Sequence, residues 1–155
     1  MNYTEEHKKL FERAIREARQ TSSLDVPVGC AILKDGVIIG AAHNQKEELN
    51  DVTGHAEIIA LRDVQKKFGT WRLNGCEMYV TLEPCSMCAG AIINSRIKKV
   101  YIGTMDEKTG SCGSVLNLLE DYKFNHHVEC ETGVLEDECK AILKDFFAKL
   151  RESKK

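Results

Sequence analysis

The chain has 155 residues, of which 43% are hydrophobic and 30% are charged, and its formal net charge is -2. This composition is typical of globular proteins and excludes disordered and fibrous chains, and the small net charge does not indicate a strongly basic nucleic-acid-binding protein. No apolar run is long enough for a signal or membrane-spanning segment, so we expect a cytoplasmic protein without membrane contact. The length predicts one domain spanning residues 1–155.

Seven cysteines are present, and an odd number without an export signal favours reduced thiols or metal ligands over a disulfide framework. Cys85 and Cys88 are three residues apart, whereas the others are isolated in the sequence. We expect the isolated ones to be small core residues: Cys30, Cys76, Cys112, Cys130 and Cys139.

Charge is unevenly distributed near the C-terminus. Residues 120–138 contain seven acids and one lysine, and residues 140–155 contain six basic residues against two acids. Another basic cluster comprises Arg96, Lys98 and Lys99. Charge alone does not decide between solvated faces and contacts to a polyanion.

Apolar patterns of two periods alternate in the first half of the chain. Residues 3–20 have helical periodicity, and the apolar runs 28–33 and 37–42 predict two strands. The Asp35-Gly36 pair between these runs predicts a tight hairpin. A second helix is predicted near 54–68 and a third strand at 77–82.

The second half continues this alternation. Pro84 suits the first turn of a third helix, and a strand at 99–102 follows. We then expect a short helix around 115–119, a strand at 128–131 and a closing helix. The closing helix has apolar residues at helical spacing: Leu135, Cys139, Ile142, Leu143, Phe146, Phe147 and Leu150. Strands alternating with helices predict a largely parallel sheet covered on both faces, with the first hairpin as its one antiparallel pair.

Two motifs, His55-Ala56-Glu57 and Pro84-Cys85-Ser86-Met87-Cys88, lie at the predicted starts of two helices. Cysteines three residues apart share a helix face, and a helix start stabilises thiolates. With His55 they would form a three-ligand zinc site that leaves a fourth position for water, as in catalytic zinc sites. Glu57 could reach that water without binding the metal.

The same residue types also occur in other kinds of site. A Cys-x-x-Cys at a helix start also occurs in thioredoxin-like redox sites. A structural zinc site could recruit His126, His127 or Cys112 as a fourth ligand. A metalloprotease His-Glu-x-x-His motif is excluded, because Ala56 follows His55 and Ile59 stands where the second histidine would be.

The pairing of His-x-Glu with Pro-Cys-x-x-Cys is the known signature of zinc-dependent nucleobase deaminases. Segments along nearly the whole chain extend the match: Pro27-Val28-Gly29, His43-Asn44, Thr81 to Cys85, Cys88 to Ile92, Asp106 with Lys108-Thr109-Gly110, Asn125-His126 and Phe146-Phe147. The chain resembles the bacterial tRNA-specific adenosine deaminases of the cytidine and deoxycytidylate deaminase superfamily. It departs from their pattern at Gly54 and Cys112, where alanine is usual.

This resemblance implies a cytidine-deaminase-like α/β fold of three αβα layers, with a five-stranded mixed sheet flanked by helices. It implies one Zn²⁺ per chain held by His55, Cys85 and Cys88, with Glu57 as the catalytic acid and base. Substrate contacts are implied at four further residues: Asn44, Asp106, Lys108 and Asn125.

The implied activity is hydrolytic deamination of adenosine to inosine at the wobble position of tRNA, using a zinc-activated water. The implied partners are the tRNA anticodon stem-loop and a second copy of the chain, with the helix after Cys88 near the partner. Two alternatives stay open: a free-base deaminase acting on guanine or cytosine, and a non-catalytic, zinc-stabilised RNA-binding module.

Overall fold

The computed structural model describes residues 3–154; Lys155, the last residue of the basic C-terminal run, lies outside this range. The elements follow the order α1 (Glu5–Arg19), β1 (Gly29–Lys34), β2 (Val37–His43), α2 (Ala56–Phe68), β3 (Cys76–Leu82), α3 (Ser86–Asn94), β4 (Lys99–Thr104), β5 (Glu129–Glu131) and α4 (Glu136–Ser153). No helix within residues 3–154 combines the length and apolar character needed to cross a bilayer.

The five strands form one mixed sheet in the order β2-β1-β3-β4-β5. The predicted hairpin is confirmed: β1 and β2 are antiparallel, and Asp35 and Gly36 both have positive φ, at 51° and 77°, as a type I′ turn requires. The predicted single antiparallel pair is wrong, because β1 is also antiparallel to β3. The crossover through α2 passes over β1 and makes β3 parallel to β2, so β1 is flanked by two antiparallel neighbours.

Alternation along the strands places apolar side chains on both faces of the sheet. In β1, Cys30 and Ile32 face a core that also contains Ala60 and Val64 of α2 and Ile92 of α3. The neighbouring residues of β1 face a second core on the other side, formed with residues of α1 and α4: Ala31, Leu33, Phe11, Ile15 and Cys139. The chain therefore has the predicted three-layer arrangement.

Three local predictions near the site were wrong in detail. The second helix begins at Ala56, with His55 as its N-cap, and not near Gly54. Pro84 precedes the third helix, whose N-cap is Cys85. The short helix expected at 115–119 is absent; these residues form turns with a bridge between Cys112 and Asn117.

The closing helix α4 is confirmed, but much of its apolar stripe is not covered. Cys139 is its one buried residue among those described, whereas Phe147 is 42% exposed and Leu150 is 38% exposed. Helical periodicity predicted the helix correctly, but this chain's own core does not cover its second half.

Candidate active site

The two motifs meet at one edge of the sheet because β2 and β3 run in the same direction. The loop after β2 leads to His55 at the start of α2, and β3 is followed within three residues by Cys85 at the start of α3. His55 and Cys85 are N-caps in extended conformation, and neither side chain caps its own helix. Both side chains are therefore free to point into the crevice, where the helix N-termini favour anionic ligands.

The donor atoms of His55, Cys85 and Cys88, which we call the donor cluster, all lie within 4.8 Å of one another. His55 Nδ1 is 3.6 Å from Cys85 Sγ and 3.5 Å from Cys88 Sγ. Tetrahedral zinc, with bonds of about 2.3 Å to sulfur and about 2.0 Å to nitrogen, sets these ligand atoms about 3.5 Å apart. Both nitrogen–sulfur distances therefore match those of a tetrahedral zinc site.

The protonation states of the donor cluster differ between its two thiols. The pKa of Cys85 falls to about 4, chiefly because the Cys88 thiol donates a hydrogen bond to it, with a further contribution from His55. The pKa of Cys88 is raised by that same hydrogen bond and by burial. The pKa of His55 is raised by its hydrogen bond with Cys85. One thiolate is therefore already favoured, and a second must form on metal binding.

Glu57 lies in the first turn of α2, two residues after His55, and is only 4% exposed. Burial raises the pKa of its carboxyl to about 7. A carboxyl with such a pKa can both accept and release a proton near neutral pH, which is what a general acid and base requires.

A cavity of about 200 Å³ opens next to these groups. Its lining includes Asn44, His55, Glu57, Cys85, Asp106 and Thr109. It is smaller than the roughly 300–1,000 Å³ of sites for drug-sized ligands, so it suits a small group such as a single planar base.

Asn44 follows β2 and reaches this cavity with its side chain held at both ends. Its Nδ2 donates to the Val26 carbonyl at 3.0 Å, and its Oδ1 accepts from the Lys46 N–H at 3.1 Å. An amide has two donor hydrogens and two acceptor lone pairs, so one of each remains for a ligand.

The remaining predicted substrate residues are not all at the cavity. Asp106 lines it, but its carboxylate also accepts from the Lys108 and Thr109 N–H groups and from the Thr109 hydroxyl. Lys108 is exposed beside the cavity and is absent from its lining. Asn125 lines a separate pocket of about 140 Å³ against α3.

The alternative of a fourth protein ligand finds no support in the geometry. Among residues 3–154, the group of potential donors at this site contains His55, Cys85 and Cys88 alone. His126 Nε2 lies 2.7 Å from the Ile97 carbonyl instead. Cys112 is a buried free thiol outside the donor cluster.

Sequence reasoning missed Glu83, which is only 3% exposed and accepts hydrogen bonds from three backbone N–H groups and one hydroxyl. All four donors belong to residues 105–114, which we call the rim loop. The position of Glu83 directly before Pro84-Cys85 was visible in the sequence, but nothing local showed where its carboxylate would bind.

Comparison with known proteins identifies deaminases that match nearly the whole chain. A MafB19-like deaminase family model matches residues 5–151. A tRNA-specific adenosine deaminase from Bacillus subtilis is 45% identical over 146 residues, covering 94% of this chain and 91% of the relative.

Solved structures agree on the fold. One, from a study of A-to-I editing by tRNA:A34 deaminases at the wobble position of transfer RNA, has a TM-score of 0.83 and 39% identity and covers 87% of this chain and 99% of its own. A guanine deaminase from Bacillus subtilis has a TM-score of 0.60 and 37% identity, over 64% of each chain. The chain therefore belongs to the MafB19-like deaminases, in the group that contains the tRNA-specific adenosine deaminases.

Proposed function

We propose that this chain deaminates adenosine to inosine at the wobble position of a tRNA anticodon, with Zn²⁺ held by the donor cluster. The observation that carries the proposal is the spacing of His55 Nδ1, Cys85 Sγ and Cys88 Sγ beside the buried Glu57 carboxyl. Two thiolates and an imidazole are the ligand types that zinc prefers, and three of them make a catalytic set.

The bound zinc supplies one property, which is to lower the pKa of a coordinated water toward about 7. Glu57 moves the protons: it accepts one from the water and delivers it to the ring nitrogen beside C6 as the water oxygen bonds to C6. It then accepts the remaining proton of that oxygen and delivers it to the amine, which leaves as ammonia when the bond from C6 to the amine breaks. Water and adenosine are consumed, and inosine and ammonia are formed. The pKa of Glu57 near 7 suits both directions of transfer.

Asn44 is proposed to hold the base through the donor and acceptor that its two backbone contacts leave free. Asp106 is proposed to contact the substrate from the opposite side of the cavity. Lys108 and Asn125 are proposed as contacts to the RNA outside the cavity, since single-stranded RNA is recognised by polar groups on loops.

A long cleft next to the cavity supports an RNA substrate over a free base. This cleft, of about 570 Å³, runs between residues 19–27 and the second half of α4, and its lining includes Arg19, Phe146 and Lys149. Asp25 and Pro27 line the cleft, while Val26 and Val28 line the cavity, so residues 25–28 border both spaces. We propose that an RNA strand with its base in the cavity passes around this segment to the cleft, where Arg19 and Lys149 offer positive charge.

We also propose that the chain acts as a single domain and as a homodimer through α3. A Cβ at Gly90 on this helix would meet no atom within 4 Å. Phe124, at 44% exposure, lines a pocket together with Gly90. A tRNA substrate would place the enzyme in the cytoplasm.

A free-base deaminase is the second candidate, favoured by the structural similarity to guanine deaminase. The test is to incubate purified protein with an anticodon stem-loop containing adenosine at the wobble position, the same strand in a full duplex, and free adenine, guanine and cytosine. We expect inosine and ammonia from the stem-loop and little from the others, because a splayed loop base costs least to extrude. Faster turnover of guanine or cytosine would overturn the RNA assignment, and no ammonia from any substrate would indicate the non-catalytic module.

A further inference from the structure

Glu83 occupies the short segment between β3 and Cys85, and its buried carboxylate has four hydrogen-bond donors. Oε1 accepts from the Asp106 N–H at 2.9 Å and from the Ser114 hydroxyl. Oε2 accepts from the N–H groups of Cys112 and Ser114, at 2.9 and 3.0 Å. Each oxygen thus binds two donors, and together they hold both ends of the rim loop.

Backbone contacts fix the same two segments together. The Glu83 N–H donates to the Thr104 carbonyl and the Ser111 N–H donates to the Pro84 carbonyl, each at 2.9 Å. Gly110 packs directly against the Glu83 carboxyl, where a Cβ would collide with it. The rim loop therefore folds around one side chain, and that side chain is two residues from a member of the donor cluster.

The rim loop also carries Asp106 and Thr109, which line the cavity. Any movement of the loop relative to Cys85 would move that wall of the cavity relative to the donor cluster. We propose that Glu83 is a positioning residue for the deamination: it sets the distance between the cavity wall at Asp106 and the donor cluster, and so aligns the base for reaction. This inference rests on the proposed function.

The four-donor arrangement requires a carboxylate at this position. Ionised carboxylates accept on both oxygens, whereas a glutamine has one accepting oxygen and an NH₂ group that cannot accept. Glu83→Gln therefore keeps the size of the side chain and leaves at least one of the bound N–H groups facing the NH₂ group of the glutamine. The rim loop should then lose its fixed position at one end, without any change in the donor cluster itself.

The experiment compares wild type with Glu83→Gln by zinc analysis, steady-state kinetics on the anticodon stem-loop and backbone hydrogen exchange. We expect zinc to stay at one per chain, exchange to rise in residues 105–114, and kcat to fall by about 10²-fold, with KM changing much less, because a displacement of about 1 Å can cost this much in rate. Unchanged exchange in the rim loop, or unchanged kcat, would overturn the proposal. So would a loss of activity fully explained by loss of zinc.

Asp25→Asn is the matched control. Asp25 is a buried carboxylate, 2% exposed, that accepts from the N–H groups of Glu47 and Glu48 on the other side of the cavity. The Asp25→Asn variant should raise backbone hydrogen exchange near residues 46–50 and leave the rim loop protected from exchange. If both variants loosen the rim loop equally, Glu83 has only a general stabilising role and the proposal fails.

Ser114→Ala removes one of the four donors and leaves Glu83 intact, so it serves if Glu83→Gln does not fold. We expect a smaller change in the same direction, with kcat reduced about threefold to tenfold, in line with the loss of one ordinary hydrogen bond. An unaltered kcat together with unaltered hydrogen exchange in the rim loop would count against the proposal. If wild type forms no inosine, the proposed function fails, while hydrogen exchange still tests whether Glu83 holds the rim loop.

Discussion

The donor cluster and the rim loop lie on the same cavity but are built in different ways. The donor cluster stands on the first residues of two helices that pack on the sheet, so regular elements set its geometry. The rim loop has no helix, and the Glu83 carboxylate holds it from outside. Under the proposed function, the chemistry depends on regular elements and substrate alignment depends on single side chains, so the two can be changed separately.

The largest effect should come from breaking the donor cluster. Cys88→Ala leaves two donors, and three ligands are needed for tight binding. We therefore expect fewer than about 0.1 zinc ions per chain and a loss of inosine formation. Elemental analysis of the purified variant measures this. Cys139→Ala is the control, since Cys139 is also buried but lies on α4, in the core on the other face of the sheet. Full zinc content in Cys88→Ala would refute the ligand assignment.

Changing Glu57 should separate catalysis from metal binding. Glu57→Gln keeps the size and a hydrogen-bonding group but cannot carry protons, so we expect kcat to fall by about 10²- to 10⁴-fold with zinc unchanged. Single-turnover kinetics on the stem-loop, with zinc analysis of the same sample, checks this. Residual activity within tenfold of wild type would mean that another group transfers the proton.

A substitution at Asn44 tests the part of the cavity wall that the rim loop does not form. Asn44→Ala removes the amide that is free to contact the base and also frees the Val26 carbonyl and the Lys46 N–H. We expect KM for the stem-loop to rise about tenfold, with a smaller change in kcat and one zinc per chain. An unchanged KM would assign Asn44 to turn formation alone.

The smallest effect concerns the basic end of α4, far from the chemistry. Replacing Lys149 and Arg151 by glutamine should flatten the dependence of log kcat/KM on log salt by about 1.4 to 1.8, if each contacts one phosphate. The same change at Lys66 and Lys67, which are exposed at the opposite end of α2 from His55, should leave the slope unaltered. Equal effects from both pairs would point to overall charge and not to a defined RNA path.

The sequence predicted the features that depend on local spacing. The three-residue separation of Cys85 and Cys88 and the Asp35-Gly36 turn follow from short-range rules, and the helix starts were predicted to within two residues. The fold class and family are confirmed. The absent helix at 115–119 could not be predicted, because Glu83, about thirty residues earlier, binds the N–H groups of Cys112 and Ser114.

The same limit explains why the direction of β3 relative to β1, and the pockets in which the expected substrate residues lie, could not be predicted. The direction of β3 relative to β1 depends on which strand the α2 crossover passes. No feature of the β3 sequence indicates which strand that is. Asp106 and Asn125 line different pockets because the turns between them direct the chain toward α3.

The central claim is that His55, Cys85 and Cys88 form a three-ligand zinc site. X-ray absorption at the zinc edge of the purified wild-type protein tests it most directly, because it counts the sulfur and lighter ligands of the metal. The account predicts one zinc per chain with two sulfur ligands at about 2.3 Å and two nitrogen or oxygen ligands at about 2.0 Å. Three or four sulfur ligands, or an active protein without zinc, would contradict it.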